Sequence, residues 1–218
     1  MKLTSKILKL AFVAVAACAT ASAIASPVDS TALVSTRETG NQAWTGALGI
    51  DFNVVSSIWV TQLGAYDSGA NGFSGPISVG IYNRDTGNLV GNSAVLTTEN
   101  TSLSGYNRFF DVTDFILTAG NYSIVADGFS DQDKNGNTGN GGTAPTLNTG
   151  DGLISFTGSG RYGANTTSLF LPNIIDGGPA NRYDAGTFQF HAVPEPTSLA
   201  LLGLGLVGLG ALRQRKQK

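Results

Sequence analysis

The sequence predicts an all-β fold, an antiparallel β-sandwich of jelly-roll-like kind, flanked by an N-terminal signal peptide and a C-terminal transmembrane helix. Two observations predict the sandwich. Apolar residues between positions 47 and 191 recur at every second position, which is the period of a half-buried strand. Turn-forming residues are abundant, with 29 glycines in 218 residues, and only 13% of the residues are charged. A closed β-barrel is the alternative that the pattern leaves open.

The first 25 residues have the layout of a secretory signal peptide. An apolar run over 10–18 follows three lysines, and Ala-x-Ala sites end at Ala23 and Ala25. We therefore expect residues 1–25 to be removed, with cleavage after Ala25 or Ala23. A lipoprotein variant is the alternative, because Val15-Ala16-Ala17-Cys18 loosely fits a lipobox in which Cys18 would be acylated.

Cysteine usage and charge argue against several classes of function. The only cysteine is Cys18 in the leader, so the mature chain has no disulfide, thiol nucleophile or thiolate metal site. Of the 13 Lys and Arg, three lie in the leader and four at the C-terminal end, which leaves six against all 15 acidic residues between them. An acidic domain argues against nucleic acid as a partner, since phosphates select clustered Lys and Arg.

Residues 26–192 form the predicted sandwich domain. Leu48, Ile50, Phe52 and Val54 share one face of the first strand, and Gly49, Asp51 and Asn53 share the other. Alternation predicts further strands near 58–66, 77–82, 89–96, 108–112, 121–127, 153–156 and 187–191. The turn formers of 83–88 predict a hairpin loop between the third and fourth strands.

One loop motif suggests a metal. Residues 131–137 read Asp-Gln-Asp-Lys-Asn-Gly-Asn, which places oxygen ligands at alternate positions before a glycine, as in calcium-binding loops. The candidate calcium ligands are Asp131, Asp133, Asn135 and Asn137. Gly142 stands where an EF-hand carries its bidentate glutamate, so further ligands would have to come from elsewhere, and a polar Gly- and Asn-rich loop is the alternative. A second Gly-rich segment at 67–72 is interpreted as an ordinary turn.

The sequence predicts no catalytic residue and therefore no enzyme. The only histidine, His191, lies on a predicted strand beside Gln189, where we expect a surface position rather than a general base. A glycosidase needs two carboxylates across a cleft, and only two glutamates, Glu38 and Glu99, fall inside the domain. Aromatic side chains could instead stack on sugar rings if several share an exposed face: Trp44, Trp59, Tyr66, Tyr82, Tyr106, Tyr162 and Tyr183.

The C-terminal tail, residues 193–218, has three parts in a fixed order. Val193-Pro194-Glu195-Pro196 forms a stiff spacer, because proline neither propagates a helix nor pairs inside a sheet. Residues 197–212 form a predicted transmembrane helix of about 24 Å at 1.5 Å per residue, somewhat short for a bilayer core. The basic stop-transfer end then holds this terminus in the cytoplasm, and it comprises Arg213, Arg215, Lys216 and Lys218.

This combination of motif, helix and basic end resembles the PEP-CTERM sorting signal of Gram-negative bacteria that make exopolysaccharide. The resemblance implies an exosortase-type membrane peptidase as a partner, with 193–196 as the processing motif. The segments Leu-Gly-Ile-Asp-Phe at 48–52 and Val-Gly-Ile-Tyr at 79–82 are similar to the uncharacterised jelly-roll domains common in such proteins. That second resemblance spans about residues 45–130 and implies a fold rather than an activity.

These features predict an exported, non-enzymatic protein that is anchored transiently in the inner membrane and then reaches the cell surface or the extracellular matrix. Extracellular polysaccharide is the expected partner there. A calcium-stabilised carbohydrate-binding jelly roll is the first alternative, with Ca²⁺ as the one candidate cofactor. A hydrolase of extracellular polymers is the second.

Overall fold

The structure is a computed structural model that describes residues 27–163 and 168–194, and its regular structure is almost entirely β-strand. One short 3₁₀ turn spans Thr138–Asn140. The strands, in chain order, are β1 (Ser30–Thr31), β2 (Leu33–Val34), β3 (Leu48–Val54), β4 (Ile58–Tyr66), β5 (Ile77–Asn83), β6 (Leu89–Leu96), β7 (Ser102–Ser104), β8 (Asn107–Leu117), β9 (Gly120–Asp127), β10 (Gly136–Asn137), β11 (Thr146–Leu147), β12 (Ile154–Tyr162), β13 (Ile174–Asp176), β14 (Tyr183–Asp184) and β15 (Gly186–Ala192).

Two antiparallel sheets make up the domain, which confirms the all-β prediction. The six-stranded sheet has the order β13-β12-β3-β9-β5-β6, and the five-stranded sheet has the order β1-β15-β4-β8-β7. Two small two-stranded ribbons, β10-β14 and β11-β2, lie outside them. The eight strands that alternation predicted are the long strands of these sheets, and the hairpin loop at 83–88 joins β5 to β6 as expected.

Strand pairs are nested along the chain. The hairpin β5-β6 lies innermost in sequence, β4 pairs with β8 around it, and β3 pairs with β9 around both. These nested antiparallel pairs alternate between the two sheets. The chain from β3 to β9 is therefore one long hairpin whose two arms cross together from sheet to sheet. Such wrapping is the connection pattern expected of a jelly-roll-like sandwich.

The core lies between the facing sheets. Phe52 of β3 packs on Phe188 of β15 with ring centroids 5.0 Å apart, and Phe188 packs on Phe190 at 5.5 Å. All three side chains are fully buried. Burying one such side chain stabilises a fold by roughly 1.5–3 kcal/mol. The predicted inward face of β3 is therefore correct.

The outer face of the six-stranded sheet is also covered, which the alternation did not predict. Ala47, Tyr82 and Val125 form a second buried cluster against the chain segment 169–171. The Tyr82 hydroxyl donates a hydrogen bond to the backbone oxygen of Leu169 at 3.0 Å. On the same face of β3 Asp51 is only 1% exposed, so β3 is buried on both faces rather than half-buried.

The last strand leads directly into the sorting tail. The backbone N–H of Val193 donates to the carbonyl of Ser57 at 3.1 Å, so the folded domain ends one residue before Pro194. Between residues 27 and 194, with 164–167 left out, no helix is long and apolar enough to span a membrane. The predicted signal peptide, 1–25, and the predicted transmembrane helix, 197–212, lie outside the described residues.

Candidate functional site

A polar cleft of about 350 Å³ opens at the end of the domain where the β10-β14 ribbon meets the β12-β13 edge of the six-stranded sheet. Binding sites for small ligands begin at roughly this size. Its walls come from four parts of the chain and consist of Gln42, Trp44, Asn137, Asn140, Tyr162, Asp176, Arg182 and Tyr183. Strand pairing positions two walls, because Asn137 lies opposite Tyr183 and Tyr162 lies opposite Ile174, two residues before Asp176.

Arg182 and Asp176 form the electrostatic centre of the cleft. Their ion pair joins Nη1 of Arg182 to Oδ1 of Asp176 at 2.5 Å, and both side chains are largely buried. The guanidinium also lies 5.3 Å from the centroid of the Tyr183 ring, a cation–π distance. Two glycines accommodate it, since a Cβ at Gly139 or Gly178 would lie within 2.3 Å of an Arg182 nitrogen.

Hydrogen bonds and burial set the protonation states of Asp176 and Tyr183. The Asp176 carboxylate accepts from the Tyr183 hydroxyl at one oxygen and from the Gly178 N–H, at 2.8 Å, at the other. Burial alone raises the pKa of Asp176, but the hydrogen bonds from Tyr183, Gly178 and Arg182 outweigh it and hold that pKa below its usual value. Burial and the bond to Asp176 raise the pKa of Tyr183. Asp176 is therefore a carboxylate and Tyr183 a neutral phenol at neutral pH.

Amide side chains form the floor of the cleft. The Gln42 Oε1 accepts from Nδ2 of Asn135 at 3.0 Å and from Nδ2 of Asn137 at 2.9 Å. The Oδ1 of Asn137 accepts in turn from Nε of Arg182 at 3.0 Å and from the backbone N–H of Gly139 at 2.8 Å. These bonds hold the amide planes of Gln42 and Asn137 in one orientation and occupy the oxygens of both side chains.

The apolar wall consists of two aromatic rings. Trp44 and Tyr162 meet edge to face, with ring centroids 5.8 Å apart and planes at 86°. The indole N–H of Trp44 donates to the backbone oxygen of Gly163 at 3.2 Å, which fixes the ring. Both residues are half-buried, so each ring is partly accessible from the cleft.

The four predicted calcium ligands lie in different hydrogen-bond environments. The Asp133 carboxylate accepts from the Ser74 hydroxyl and from the backbone N–H groups of Ser74, at 3.0 Å, and Gly75, at 3.2 Å. Asn135 and Asn137 are buried and point their amide nitrogens at Gln42, while Asp131 is exposed. In the described part of the chain no group of three His, Cys, Asp or Glu side chains is placed to hold a metal. The calcium site stays a prediction.

The residues weighed for catalysis lie apart from the cleft. His191 shares β15 with Gln189 and is half-buried rather than fully exposed, because its Nδ1 lies 2.7 Å from Oδ1 of Asp29. Glu38 and Glu99 are exposed in separate loops, one between β2 and β3 and the other between β6 and β7. Asp176 is the one carboxylate among the described residues that line the cleft.

Sequence reasoning found part of this site and missed the rest. Of the seven aromatics considered for sugar stacking, Trp44, Tyr162 and Tyr183 line the cleft, whereas Tyr66 and Tyr82 are buried in the domain. The polar lining was missed, comprising Gln42, Asn140, Asp176 and Arg182. The spacing of an acid and an arginine across the Gly-Gly-Pro turn at 177–179 is the signal that could have suggested the ion pair.

A comparison with known proteins provides evidence about the C-terminal tail. In the described part of the chain, the fold and the cleft define an antiparallel β-sandwich that carries a polar, aromatic-walled surface cleft. A family model described as the PEP-CTERM protein-sorting motif matches residues 192–216, and the chain is thus a PEP-CTERM-containing protein. The motif supports export and exosortase-dependent, membrane-associated sorting. No curated protein and no solved structure matches the chain.

Proposed function

We propose that the chain is a non-enzymatic protein of the bacterial surface or of extracellular polysaccharide, delivered there and processed through its PEP-CTERM tail. The observation that carries this proposal is the position of the sorting motif. It begins at residue 192, the last residue of β15, so the sandwich ends where the tail begins. We infer that the folded domain is the part that is delivered and that the tail is its sorting signal.

The proposed pathway has a fixed order. Residues 1–25 direct export and are removed, and the helix at 197–212 then holds the protein in the inner membrane with its basic end, 213–218, in the cytoplasm. The peptidase recognises the stiff segment 193–196 on the outer side. Cleavage there releases the domain or allows its attachment to the matrix.

The fold is compatible with a cut close to the domain. β15 is hydrogen-bonded to β4 through Ala192, opposite Ile58, and Val193 bonds to Ser57. A cut on the C-terminal side of Val193 would break none of these contacts. The processed domain would therefore keep its complete five-stranded sheet.

The absence of enzymatic activity is part of the proposal, and the cleft supports it. Hydrolysis of a glycosidic bond uses two carboxyl groups, roughly 5–10 Å apart, across the scissile bond. Within the described lining Asp176 stands alone as a carboxylate, and its oxygens already accept from Tyr183, Gly178 and Arg182. A second candidate function, a hydrolase of extracellular polymers, would need a different site.

A carbohydrate-binding module is the alternative that a specific observation favours. Half-buried aromatic rings beside planar amide and guanidinium groups are what a sugar-binding surface requires, and Trp44, Tyr162, Gln42 and Arg182 supply them. Such a module would give the delivered domain a partner in the matrix. Stabilisation of the module by calcium is a separate prediction.

Cell fractionation tests the sorting proposal. The full chain would be produced in its host as wild type, as a triple variant Pro194→Ala, Glu195→Ala, Pro196→Ala, and as the surface control Asp114→Ala. We expect wild type and control in the released and polysaccharide fractions, and the triple variant in the inner-membrane fraction. If the triple variant is released like the wild type, the motif does not direct processing and the proposal is wrong.

A further inference from the structure

The geometry of the cleft points to a binding site for an uncharged saccharide, with one sugar ring placed against Trp44 and Tyr162. Hydrogen bonds to its oxygens would come from Gln42 and Arg182. This inference rests on the proposed association with extracellular polysaccharide and names the site and the ligand class.

The hydrogen-bonding groups that Gln42 and Arg182 leave over in the cleft are donors. The Oε1 of Gln42 already accepts two hydrogen bonds and the Oδ1 of Asn137 accepts two, whereas the Nε2 group of Gln42 has no partner among the described residues. Arg182 uses Nε and Nη1 within the part of the chain that the structure describes, where Nη2 has no partner. A guanidinium carries five N–H donors and an amide nitrogen two. The matching ligand therefore presents several acceptor oxygens close together, as a sugar does.

The charge of the site favours a sugar without a carboxylate or sulfate. The two charged groups among the described lining residues, Asp176 and Arg182, neutralise one another at 2.5 Å. Between the leader and the basic tail the chain is strongly acidic, with 15 Asp and Glu in the whole sequence. An anionic polymer would be repelled by this field and would have to compete with Asp176 for the arginine.

The aromatic wall supplies the apolar part of recognition. A pyranose ring has a face of C–H groups that packs on an aromatic ring, while its hydroxyl groups point sideways to polar partners. The rings of Trp44 and Tyr162 lie at 86° to one another and together form the apolar wall. Tyr162 lines the same cleft as Gln42, and its hydroxyl has no partner among the described residues. A volume of about 350 Å³ fits one or two sugar rings rather than a long chain segment.

The site is held in place before any ligand arrives. Gly163 fixes the Trp44 indole, Asp176 and Asn137 fix the guanidinium, and buried Asn135 fixes Gln42. A ligand would therefore order few side chains on binding, which lowers the entropic cost.

Tryptophan fluorescence gives a direct test, because the chain has two tryptophans and one of them lines the cleft. Trp59→Phe leaves Trp44 as the sole reporter. The full chain, in a detergent without a sugar headgroup, would be titrated with maltohexaose, cellohexaose, mannohexaose and hexagalacturonate. We expect a saturable change in Trp44 emission with at least one uncharged oligosaccharide, and at least about tenfold weaker binding of hexagalacturonate.

Gln42→Glu is the sharpest variant, since it keeps an oxygen for Asn135 and Asn137 but replaces the free amide donor. The matched control is Gln132→Glu, the same change at an exposed position outside the cleft. Gln42→Glu should weaken binding by about tenfold or more, the loss expected for one hydrogen-bond donor, and the control should not. Circular dichroism of both variants verifies folding. Tyr162→Phe, which keeps the ring and removes the hydroxyl, should weaken oligosaccharide binding independently of Gln42.

Three results would overturn the inference: no saturable change with any uncharged oligosaccharide, preferential binding of hexagalacturonate, or equal binding by Gln42→Glu and wild type. Each is independent of the sorting proposal. A protein that fails to bind these sugars but still fractionates with the matrix refutes the cleft, whereas one that binds them but never leaves the membrane refutes the sorting.

Discussion

Arg161 and Asp51 lie 110 residues apart in the chain, yet Nε of the arginine lies 2.7 Å and 2.9 Å from the two carboxylate oxygens of the aspartate. Asp51 is 1% exposed, and Nη1 of Arg84 lies 3.6 Å from its Oδ2. The outer face of β3 is thus a buried ionic centre that joins β12 and the β5-β6 loop to the middle of the six-stranded sheet.

The first prediction concerns this centre. Asp51→Ala leaves two largely buried guanidinium groups without their carboxylate, so we expect the free energy of unfolding to fall by about 3–5 kcal/mol. Urea denaturation measures the change. Asp114→Ala removes an exposed aspartate from β8 and should change the free energy by less than about 0.5 kcal/mol. Equal, small effects of both substitutions would mean that the pair contributes little.

The second prediction concerns Asp184, which is 2% exposed and whose carboxyl accepts a hydrogen bond from the Ser35 hydroxyl at 2.6 Å. Burial raises the pKa of Asp184 to about 6, although Ser35 and Arg37 oppose the shift. The folded pKa is above the unfolded value, so the stability that the protonated group gives is complete below pH 4 and is lost as pH rises through 6. Asp184→Asn keeps the group neutral.

Unfolding of wild type and Asp184→Asn at pH 4, 5, 6 and 7 checks this behaviour. Relative to wild type, the variant should gain stability between pH 4 and pH 7, by an amount on the order of 2 kcal/mol. Subtracting the two curves removes the contributions of all other groups. A difference that does not change with pH would contradict the raised pKa.

The third prediction compares two glycines with positive φ. Gly91 in β6 has φ +67° and a Cβ there would lie 2.4 Å from the Phe115 ring, whereas Gly87 has φ +74° and open space. Gly91→Ala should lower the free energy of unfolding by about 3 kcal/mol, because it adds both backbone strain and overpacking between the sheets. Gly87→Ala should cost about 1 kcal/mol, from strain alone. Thermal unfolding of both variants measures these changes. Equal losses of stability in the two variants would contradict the prediction and would mean that Phe115 moves aside.

The fourth prediction separates two roles for Asp133. Because its carboxylate already accepts from Ser74 and Gly75, Asp133→Ala should lower stability by about 2 kcal/mol whether or not a chelator is present. Differential scanning calorimetry with and without EDTA makes the comparison. A wild-type melting temperature that falls with EDTA, together with a variant that no longer responds, would instead support the calcium site predicted from the loop sequence.

Much of the sandwich was accessible from the sequence because strand alternation is a local property. The bounds of β4 and β6 are those that alternation predicts, and β3 follows the same rule on its inner face. Local patterns do not report what covers an outer face, so alternation placed Asp51 on the polar side of β3, although Asp51 is buried and paired with Arg161 and Arg84. The short strands of the ribbons, such as β10 and β14, carry too few residues to show any period.

The site was less predictable than the fold for a related reason. The segment 131–152 is rich in Gly, Asn and Thr and was interpreted as a metal loop or a plain polar loop. The structure buries Asn135 and Asn137 in it, where backbone and amide hydrogen bonds replace hydrophobic contacts. Four distant segments build the cleft, and residue spacing along the chain carries no information about that convergence.

The mass of the mature protein isolated from its host tests the central claim of export and C-terminal processing most directly. We expect a chain that begins near residue 26 and lacks residues 197–218, with the sandwich complete through Ala192. A released protein that still contains the helix at 197–212 and the basic end would contradict it.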